Sequence, residues 1–376
     1  MKNKHFLLDP KIVFMNHGSF GACPKPIFND YQKWQRRLEK QPVLFSTETI
    51  YDLFRKSRIS LGEFVGCHEK DIILFQNPTV AVSNIIYSLK LQPDDQVLMS
   101  NHEYGALVRA WSMWARSSNV NIIQKDIKLP LSSEQEFVEN IWSGVTPKTK
   151  VIFLSHITSA TALEFPVKEI CKLAKASGII TIIDGAHVPG QINLNIKNLG
   201  CDFYSGACHK WLCAPKGTSF LYVRDKHQSW MQPLIYSWGK DGDDPGPSEF
   251  LQNFQWQGTR DMASFCTLPR VIDYYHKNIK DNRRKCRKLI QLVASQLSGI
   301  LGTAPIYASK KWINQMVSHR LPKTAPADLK TNLLKKFNIE VPIFHWNGER
   351  YIRVSCNIYN NKTQVDYFLK TLKTLI

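Results

Sequence analysis

Short apolar runs of strand length alternate with segments of helical period through the first two thirds of the chain. Four of these runs, at residues 72–75, 97–99, 151–154 and 179–183, are rich in branched side chains and apolar without alternation. Such continuity is typical of strands that are buried on both faces of a parallel sheet. Between the runs, Pro166 is placed to begin a helix and Gly178 to end it. The pattern predicts an α/β fold built on a mostly parallel sheet.

The pattern changes after residues 240–248, an Asp- and Gly-rich stretch that predicts a loop. From about residue 260 the chain becomes more helical, with a few short strands. Its last predicted helix begins near Thr363 and buries Val365, Phe368, Leu369 and Leu372. We therefore predict a large domain over residues 15–259 and a smaller α+β domain over 260–376. Residues 1–14 are expected to pack with the smaller domain.

Composition excludes several classes of protein. Hydrophobic residues make up 43% of the 376 residues and charged residues 21%, which is ordinary for a globular protein and excludes wholesale disorder. No apolar run approaches the roughly 20 residues of a membrane helix. The basic N-terminus carries an apolar stretch too short for a secretory signal, ended by Asp9 and Pro10. Nine scattered cysteines fit reduced thiols, so we expect a cytoplasmic protein.

The chain is strongly basic, with 49 Lys and Arg against 31 Asp and Glu, a net charge of +18. Such a balance suits phosphorylated ligands, nucleic acid or anionic membranes, or a basic surface that serves only solubility. The densest cluster, at residues 280–288, opens an amphipathic segment and favours a solvated helix face. No helix-turn-helix, RNA-recognition or zinc-finger signature is present. We expect neither nucleic acid nor membrane as a partner, and keep a non-catalytic nucleic-acid-binding protein as the alternative of another class.

Two residues are placed for chemistry. Asp184 follows an apolar run, at the carboxyl end where parallel sheets bind ligands; a carboxylate there can hold a protonated ring nitrogen or cap a turn. Lys210 lies in the small-residue segment 205–211, beside His209 and Trp211. A desolvated lysine has a lowered pKa and can form a Schiff base, whereas an exposed lysine has no such role.

The ordered set of Asp184, Lys210 and the segments 16–21, 202–204 and 213–215 resembles the fold-type I enzymes that use pyridoxal 5′-phosphate (PLP). More narrowly, it resembles the isopenicillin N epimerase-like and carbon–sulfur lyase branch of the class V aminotransferases. The resemblance runs from about residue 14 to 360. It implies a mostly parallel large domain, a smaller α+β C-terminal domain, and a homodimer with shared active sites.

The resemblance assigns roles around the cofactor. Lys210 would form the Schiff base and move the α-proton, Asp184 would pair with the pyridinium nitrogen, and His187 would lie near the ring oxygen. Tyr104 would stack on the ring. The other residues implied for the cofactor surround its phosphate and are Thr79, the Val80 amide, Ser205 and His209, with Gly258 and Thr259 reaching over from the neighbouring subunit.

The resemblance also implies a substrate site. Arg353 would bind an α-carboxylate through its guanidinium fork, and Asn16 and His17 would line the mouth. Two departures matter: Ala160 and Ala162 stand where the branch has proline and glycine. Residues 342–348 also lack the cysteine that desulfurases carry shortly before the arginine, which argues against persulfide chemistry.

Alternatives remain at the level of the reaction. After α-proton removal, an epimerase and a carbon–sulfur lyase are equally compatible with the residues, and an aminotransferase is the alternative. Zinc binding by Cys201, Cys208, His209 and Cys213 is disfavoured because no paired C-x₂-C spacing is present, so we predict no metal. An inactive PLP-type scaffold is disfavoured because Asp184 and Lys210 are both present.

Overall fold

The computed structural model describes residues 5–240 and 247–376. The strands are β1 (Val13–Phe14), β2 (Ile72–Phe75), β3 (Gln96–Ser100), β4 (Asn121–Lys125), β5 (Thr149–Ser155), β6 (Ile180–Asp184), β7 (Phe203–Ala207), β8 (Ser219–Val223), β9 (Met316–Arg320), β10 (Ile339–Glu340), β11 (Ile343–Trp346) and β12 (Glu349–Ser355). The α-helices are α1 (His17–Phe20), α2 (Lys25–Lys40), α3 (Pro42–Leu44), α4 (Ile50–Val65), α5 (Pro78–Ser88), α6 (Gly105–Ser118), α7 (Glu134–Trp142), α8 (Val167–Ala176), α9 (Ile196–Leu199), α10 (Asp225–Gln228), α11 (Glu249–Gln255), α12 (Ala263–Cys266), α13 (Leu268–Tyr274), α14 (Arg283–Leu301), α15 (Leu329–Phe337) and α16 (Lys362–Leu375). Short π-helical turns occupy Phe45–Thr49 and Tyr275–Ile279, and 3₁₀ turns occupy Glu69–Asp71, Lys280–Asn282 and Lys310–Trp312.

A seven-stranded sheet in the order β2-β8-β7-β6-β5-β3-β4 forms the centre of the molecule. Strands β7, β6, β5, β3 and β4 are parallel to one another, so the predicted mostly parallel sheet is confirmed. Strand β8 is the exception and pairs antiparallel with both of its neighbours. No helix lies between β7 and β8 to carry the chain back across the sheet, so the chain turns directly into the adjacent antiparallel position.

The apolar runs are continuous because both faces of this sheet are covered. In β5, Val151 and Phe153 belong to one hydrophobic cluster, while Ile152 and Leu154 belong to the cluster on the other face. All four side chains are fully buried. Successive strand residues point to opposite faces, so a strand covered on both sides needs an apolar residue at every position.

The C-terminal part contains a second, antiparallel sheet in the order β11-β12-β9, against which α14 packs. Helix α16 buries the four predicted residues, Val365, Phe368, Leu369 and Leu372, and Asn361 and Gln364 form its capping box. At the start of α14, Arg284, Lys285 and Lys288 are exposed, so the basic cluster includes a solvated helix face as predicted. Strand β1 pairs in parallel with β10, which places the N-terminal segment against the C-terminal part. The domain boundary near residue 260 stays a prediction.

The predicted loop at residues 240–248 lies largely outside the described residues, because positions 241–246 are not among them. Across residues 5–240 and 247–376, no helix combines the length and apolar character needed to cross a bilayer.

Candidate active site

Asp184 is the last residue of β6 and points its carboxylate into the carboxyl edge of the sheet. It is 4% exposed. Its Oδ1 accepts hydrogen bonds from the Ala186 N–H at 3.0 Å and from Ser205 Oγ at 3.4 Å. Burial raises the pKa of Asp184, and the Ala186 N–H and the Lys210 charge oppose that shift. The site therefore contains a buried carboxylate that a nearby positive group would stabilise in its charged form.

Lys210 lies in the turn after β7, with its Nζ 3.1 Å from His187 Nε2. Trp211 Nε1, which can only donate, lies 3.3 Å from His187 Nδ1. Burial keeps the pKa of His187 well below 6.5, so the imidazole is neutral and this geometry assigns its proton to Nε2. His187 can thus donate to the lone pair of a neutral Lys210 amine. Burial and the Arg353 charge lower the pKa of Lys210 to about 8, with Asp184 opposing.

Both residues open into one cavity of about 390 Å³ at the carboxyl edge of the sheet. Its walls come from several segments that follow strands of the central sheet, together with α1 from the N-terminus. The lining residues are Ser19, Phe20, Asn77, Pro78, Thr79, Val80, Tyr104, Ser155, Ile157, Ser159, Asp184, Ala186, His187, His209 and Lys210. The structure therefore brings seven of the predicted residues, Thr79, Val80, Tyr104, Asp184, His187, His209 and Lys210, to one cavity.

The predicted phosphate residues are only partly arranged as expected. Thr79 and Val80 line the cavity at the start of α5, but Asn77 caps that helix and its Oδ1 accepts the Val80 N–H at 2.9 Å. The Val80 amide therefore already has a partner in the cap of α5, and its contact with a phosphate stays a prediction. Ser205 does not line the cavity, because its hydroxyl is directed at Asp184. His209 does line it, with Nδ1 3.0 Å from the Thr218 carbonyl.

Tyr104 directly precedes α6 and forms part of the cavity wall, with its side chain 45% exposed. Gly258, with a φ of +96°, and the exposed Thr259 lie in a turn that does not line the cavity of their own chain. A role for this turn in the active site of a neighbouring subunit stays a prediction.

Arg353 lies on β12 and is 6% exposed. Its Nη1 donates to the carbonyl and hydroxyl oxygens of Ser159, and its Nη2 donates to Ser19 Oγ at 3.0 Å. Within the described residues no carboxylate forms an ion pair with it. Burial lowers the pKa of Arg353 to about 10. A buried guanidinium that borders the cavity through two serines, without an anionic partner of its own, is suited to an incoming carboxylate.

Asn16 and His17 do not line the cavity, and their predicted place at the substrate mouth needs correction. Asn16 Nδ2 donates to Glu340 Oε1 at 3.1 Å. The His17 ring is fully buried, because it lies between the Lys210 carbonyl oxygen and the Tyr359 hydroxyl. In this segment the cavity is instead lined by Ser19 and Phe20.

A buried carboxyl that the sequence reasoning missed lies beside this site. Glu103 Oε2 accepts hydrogen bonds from the Ser155 N–H at 2.7 Å and from Ser155 Oγ at 2.6 Å, and Oε1 accepts from Ser100 Oγ. Burial raises the pKa of Glu103 to about 7. Ser155 is the register partner of Asp184 on the adjacent strand. The sequence did offer one signal for Glu103: it is an acidic residue beside Tyr104, in the segment between a strand and a helix.

The two departures in the Ser155–Ala162 loop lie near the site. Ala162 has a φ of +59°, a conformation that favours glycine, and the Ala160 carbonyl accepts a hydrogen bond from Ser318 Oγ. No cysteine is among the described residues that line the cavity. Over the same described part of the chain, no group of three or more His, Cys, Asp or Glu side chains is placed to hold a metal ion.

Comparison with known proteins gives this arrangement a context. The model of the class V aminotransferase family matches residues 28–368. The chain is 31% identical to an isopenicillin N epimerase from Amycolatopsis lactamdurans, over 98% of this chain and 96% of that protein. It is 24% identical to a probable chloroplastic L-cysteine desulfhydrase from Arabidopsis thaliana, over 94% of this chain and 80% of that protein.

Solved structures agree on the fold. An apo cysteine desulfurase from Thermococcus onnurineus superposes with a TM-score of 0.85 at 19% identity, covering 100% of this chain and 97% of that one. The cystine C–S lyase C-DES superposes with a TM-score of 0.84 at 17% identity, covering 97% and 98%. The chain thus combines Lys210 and the strand-end Asp184 at one cavity with a match to this family over most of its length. The chain belongs to the class V aminotransferase family, and it is a PLP-dependent enzyme of fold type I.

Proposed function

We propose that this enzyme removes the α-proton of an amino-acid substrate and then releases a sulfur substituent from the β-carbon, as a carbon–sulfur lyase. The observation that carries the proposal is the contact of Lys210 Nζ with His187 Nε2 at 3.1 Å, in the cavity that Asp184 also lines. This contact supports a single acid–base centre at Lys210, an amine whose lowered pKa lets it lose its proton near neutral pH. Elimination needs one such centre, because the leaving group carries away the electrons of the broken carbon–sulfur bond.

The residues present fit the cofactor. Lys210 offers an amine of lowered pKa, and Asp184 offers a buried carboxylate whose charged form gains from a positive ring nitrogen. Two further groups are proposed to hold the cofactor: His187 Nε2–H would meet its ring oxygen, and Thr79 would meet its phosphate. When bound, PLP supplies an electron sink for the electrons released at the α-carbon.

The chain's own residues would perform the binding and the proton transfer. Arg353 would bind the substrate carboxylate bidentately and so orient the α-hydrogen. Lys210, with a pKa near 8, is a matched base for a proton at neutral pH. The absence of cysteine among the described lining residues supports elimination of the substrate's own sulfur over transfer to an enzyme thiol.

Epimerisation is the second candidate, because the 31% identical relative is an isopenicillin N epimerase. Returning the proton to the opposite side of the α-carbon needs a second acid. We propose that the lining residue Tyr104 is this second acid. Tyr104 follows β3 and Lys210 follows β7, and the strands β5 and β6 separate β3 from β7 in the sheet. The Tyr104 hydroxyl has no hydrogen-bond partner among the described residues that would hold it toward the α-carbon, and we therefore rank elimination first. Transamination remains the alternative to both.

We also propose that the enzyme works as a homodimer in the cytoplasm. Four large side chains in one loop are exposed, Leu234 at 42%, Ile235 at 53%, Tyr236 at 60% and Trp238 at 82%. Such a contiguous apolar stretch favours an interface. None of the nine cysteines, all of which are described, forms a disulfide, which fits a reducing compartment.

The discriminating experiment follows the α-hydrogen in deuterated water. The holoenzyme is incubated with L-cysteine, L-cystine and a panel of S-substituted cysteines, and NMR follows the α-hydrogen, the 2-oxo acid and the enantiomer. A 2-oxo acid formed together with a released thiol, hydrogen sulfide or persulfide supports the lyase. α-Deuterated substrate of both configurations supports the epimerase. α-Hydrogen retention in every substrate would overturn both.

A further inference from the structure

Helix α1 and its flanking residues, 16–21, lie between the two groups on which the proposed function rests. At one end, Gly21 has a φ of +69°, and a Cβ there would lie 2.8 Å from the Lys210 carbonyl oxygen. In the middle, a Cβ on Gly18 would lie 2.6 Å from Met316 Sδ and 3.8 Å from the Arg353 guanidinium carbon. Only glycine fits at these two positions without displacing a neighbour. The segment is therefore packed directly against Lys210 and Arg353.

His17 holds the main chain at Lys210. Its Nε2 lies 3.0 Å from the Lys210 carbonyl oxygen and 2.7 Å from Asn357 Nδ2, and its Nδ1 lies 2.8 Å from the Tyr359 hydroxyl. The ring also packs against Trp211, with centroids 5.0 Å apart. Burial lowers the pKa of His17 to about 3, so the ring acts here as a neutral spacer. Trp211 in turn donates to His187, the residue that contacts the Lys210 amine.

Ser19 holds the side chain of Arg353 through a chain of hydrogen bonds that ends on a carboxylate. Arg353 Nη2 donates to Ser19 Oγ at 3.0 Å, and Ser19 Oγ donates to Asn16 Oδ1 at 2.5 Å. Asn16 Nδ2 then donates to Glu340 Oε1 at 3.1 Å. Each donor in the series faces an acceptor, so the chain is polarised from the guanidinium to the carboxylate. It fixes the orientation of a cation that has no ion-pair partner among the described residues.

We propose that residues 16–21 are the positioning element of this active site: His17 sets the place of Lys210, and Ser19 with Asn16 sets the place of Arg353. The two groups come from distant parts of the chain, and this one short segment bonds to both. It thereby fixes the distance between the amine that meets the α-carbon and the guanidinium that meets the α-carboxylate. Because misplacement of a catalytic group by about 1 Å can cost about 100-fold in rate, such an element has a measurable function.

The inference rests on the proposed roles of Lys210 and Arg353, so its test reads the two roles separately. Aminooxyacetate and methoxyamine both release PLP from a lysine by forming an oxime, and only the first carries a carboxylate. Stopped-flow absorbance of the holoenzyme gives both rate constants without any turnover. The methoxyamine rate reports the Lys210 side. The ratio of the aminooxyacetate to the methoxyamine rate constant reports carboxylate binding by Arg353.

We expect Ser19→Ala to lower this ratio about tenfold while the methoxyamine rate constant stays within a factor of two, since a hydrogen bond to a charged group is lost. Asn16→Ala is expected to lower it in the same direction, and Ser19→Thr, which keeps the hydroxyl, to restore it. His17→Gln is expected to change the methoxyamine rate constant with the ratio unchanged. Ser57→Ala is the matched control: this buried serine bonds to the Phe265 carbonyl, and its loss should leave both readouts unchanged.

Two results would overturn the inference. One is a His17→Gln enzyme whose methoxyamine rate constant equals the wild-type value, because His17 then does not set the place of Lys210. The other is a Ser19→Ala enzyme with the wild-type ratio. An Arg353→Gln enzyme that keeps the wild-type ratio is a different failure: it refutes carboxylate binding by Arg353, and the positioning of Arg353 falls with it.

Discussion

The pH at which Lys210 loses its proton is the quantity that most directly tests this active site. Burial and the Arg353 charge lower the pKa of Lys210 from 10.5 to about 8. At pH 7 an amine of pKa about 8 is roughly 9% neutral, whereas an ordinary lysine is only about 0.03% neutral. The neutral amine is the nucleophile, so the shift makes Lys210 about 300-fold more available at pH 7 than an exposed lysine.

The assay is covalent capture of PLP by the apoenzyme, followed as absorbance growth from pH 6 to pH 11 at a fixed PLP concentration. Below pH 8 the capture rate constant should fall about tenfold per pH unit, and above pH 8 it should level off, because the lysine is then already neutral. Arg353→Gln should move the inflection upward, since it removes a cation that lowers the Lys210 pKa. Asp184→Asn should move it downward, since it removes the carboxylate that raises the pKa.

Arg320→Gln is the matched control, because this exposed arginine on the neighbouring strand β9 carries the same charge away from the cavity. It should leave the inflection in place. A wild-type inflection near 10.5 would refute the reasoning about burial. An Arg353→Gln enzyme whose inflection stays at the wild-type pH would refute the electrostatic contribution of that residue.

Three further outcomes follow from single contacts. Lys210→Ala should abolish borohydride-trapped PLP in peptide mapping and abolish turnover, with thermal unfolding unchanged to within a few degrees; turnover that persists would reassign the nucleophile. Asn77→Ala should cost about 1 kcal/mol in urea unfolding, because it removes the cap of α5, and an unchanged midpoint would contradict that role. Gly21→Ala should prevent stable folding or PLP binding, because its Cβ would collide with the Lys210 backbone. Gly200→Ala is the control in the same thermal unfolding experiment: with a φ of +72° and nothing within 4 Å of its Cβ, it should cost only backbone strain.

The fold was accessible from the sequence because its strongest signals are local. Short runs that are apolar at nearly every position are typical of strands covered on both faces, and β2, β3, β5 and β6 lie at or within a residue or two of the predicted runs. The antiparallel direction of strand β8 was not accessible in this way. The direction of a strand depends on the segment that connects it to the preceding strand, and a buried strand has the same continuous apolar pattern in either direction.

The site was predictable where a residue's position in an element fixes its role. Asp184 ends a strand and Lys210 follows the next one, so both reach the carboxyl edge. The errors concern which polar atom meets which. Val80 lines the cavity and Ser205 does not, and Asn77 and Asp184 occupy the hydrogen-bonding groups of the two residues. Such competition between neighbours is decided by side-chain geometry that spacing along the chain does not contain.

The buried charges at the cavity favour the binding of two anionic groups, the cofactor phosphate and the substrate carboxylate. Arg353 and Lys210 are both buried cations, and burial lowers the pKa of each because a buried charge is costly to maintain. Asp184 is a nearby carboxylate, but its own pKa is raised by burial, so it offsets only part of that cost. A cofactor phosphate and a substrate carboxylate would add the missing negative charge. PLP should therefore raise the melting temperature of the enzyme with its concentration, as any ligand that binds only the folded state does. Two buried cations at one cavity are enough for this effect, so the +18 net charge of the whole chain is not needed to explain an anionic substrate.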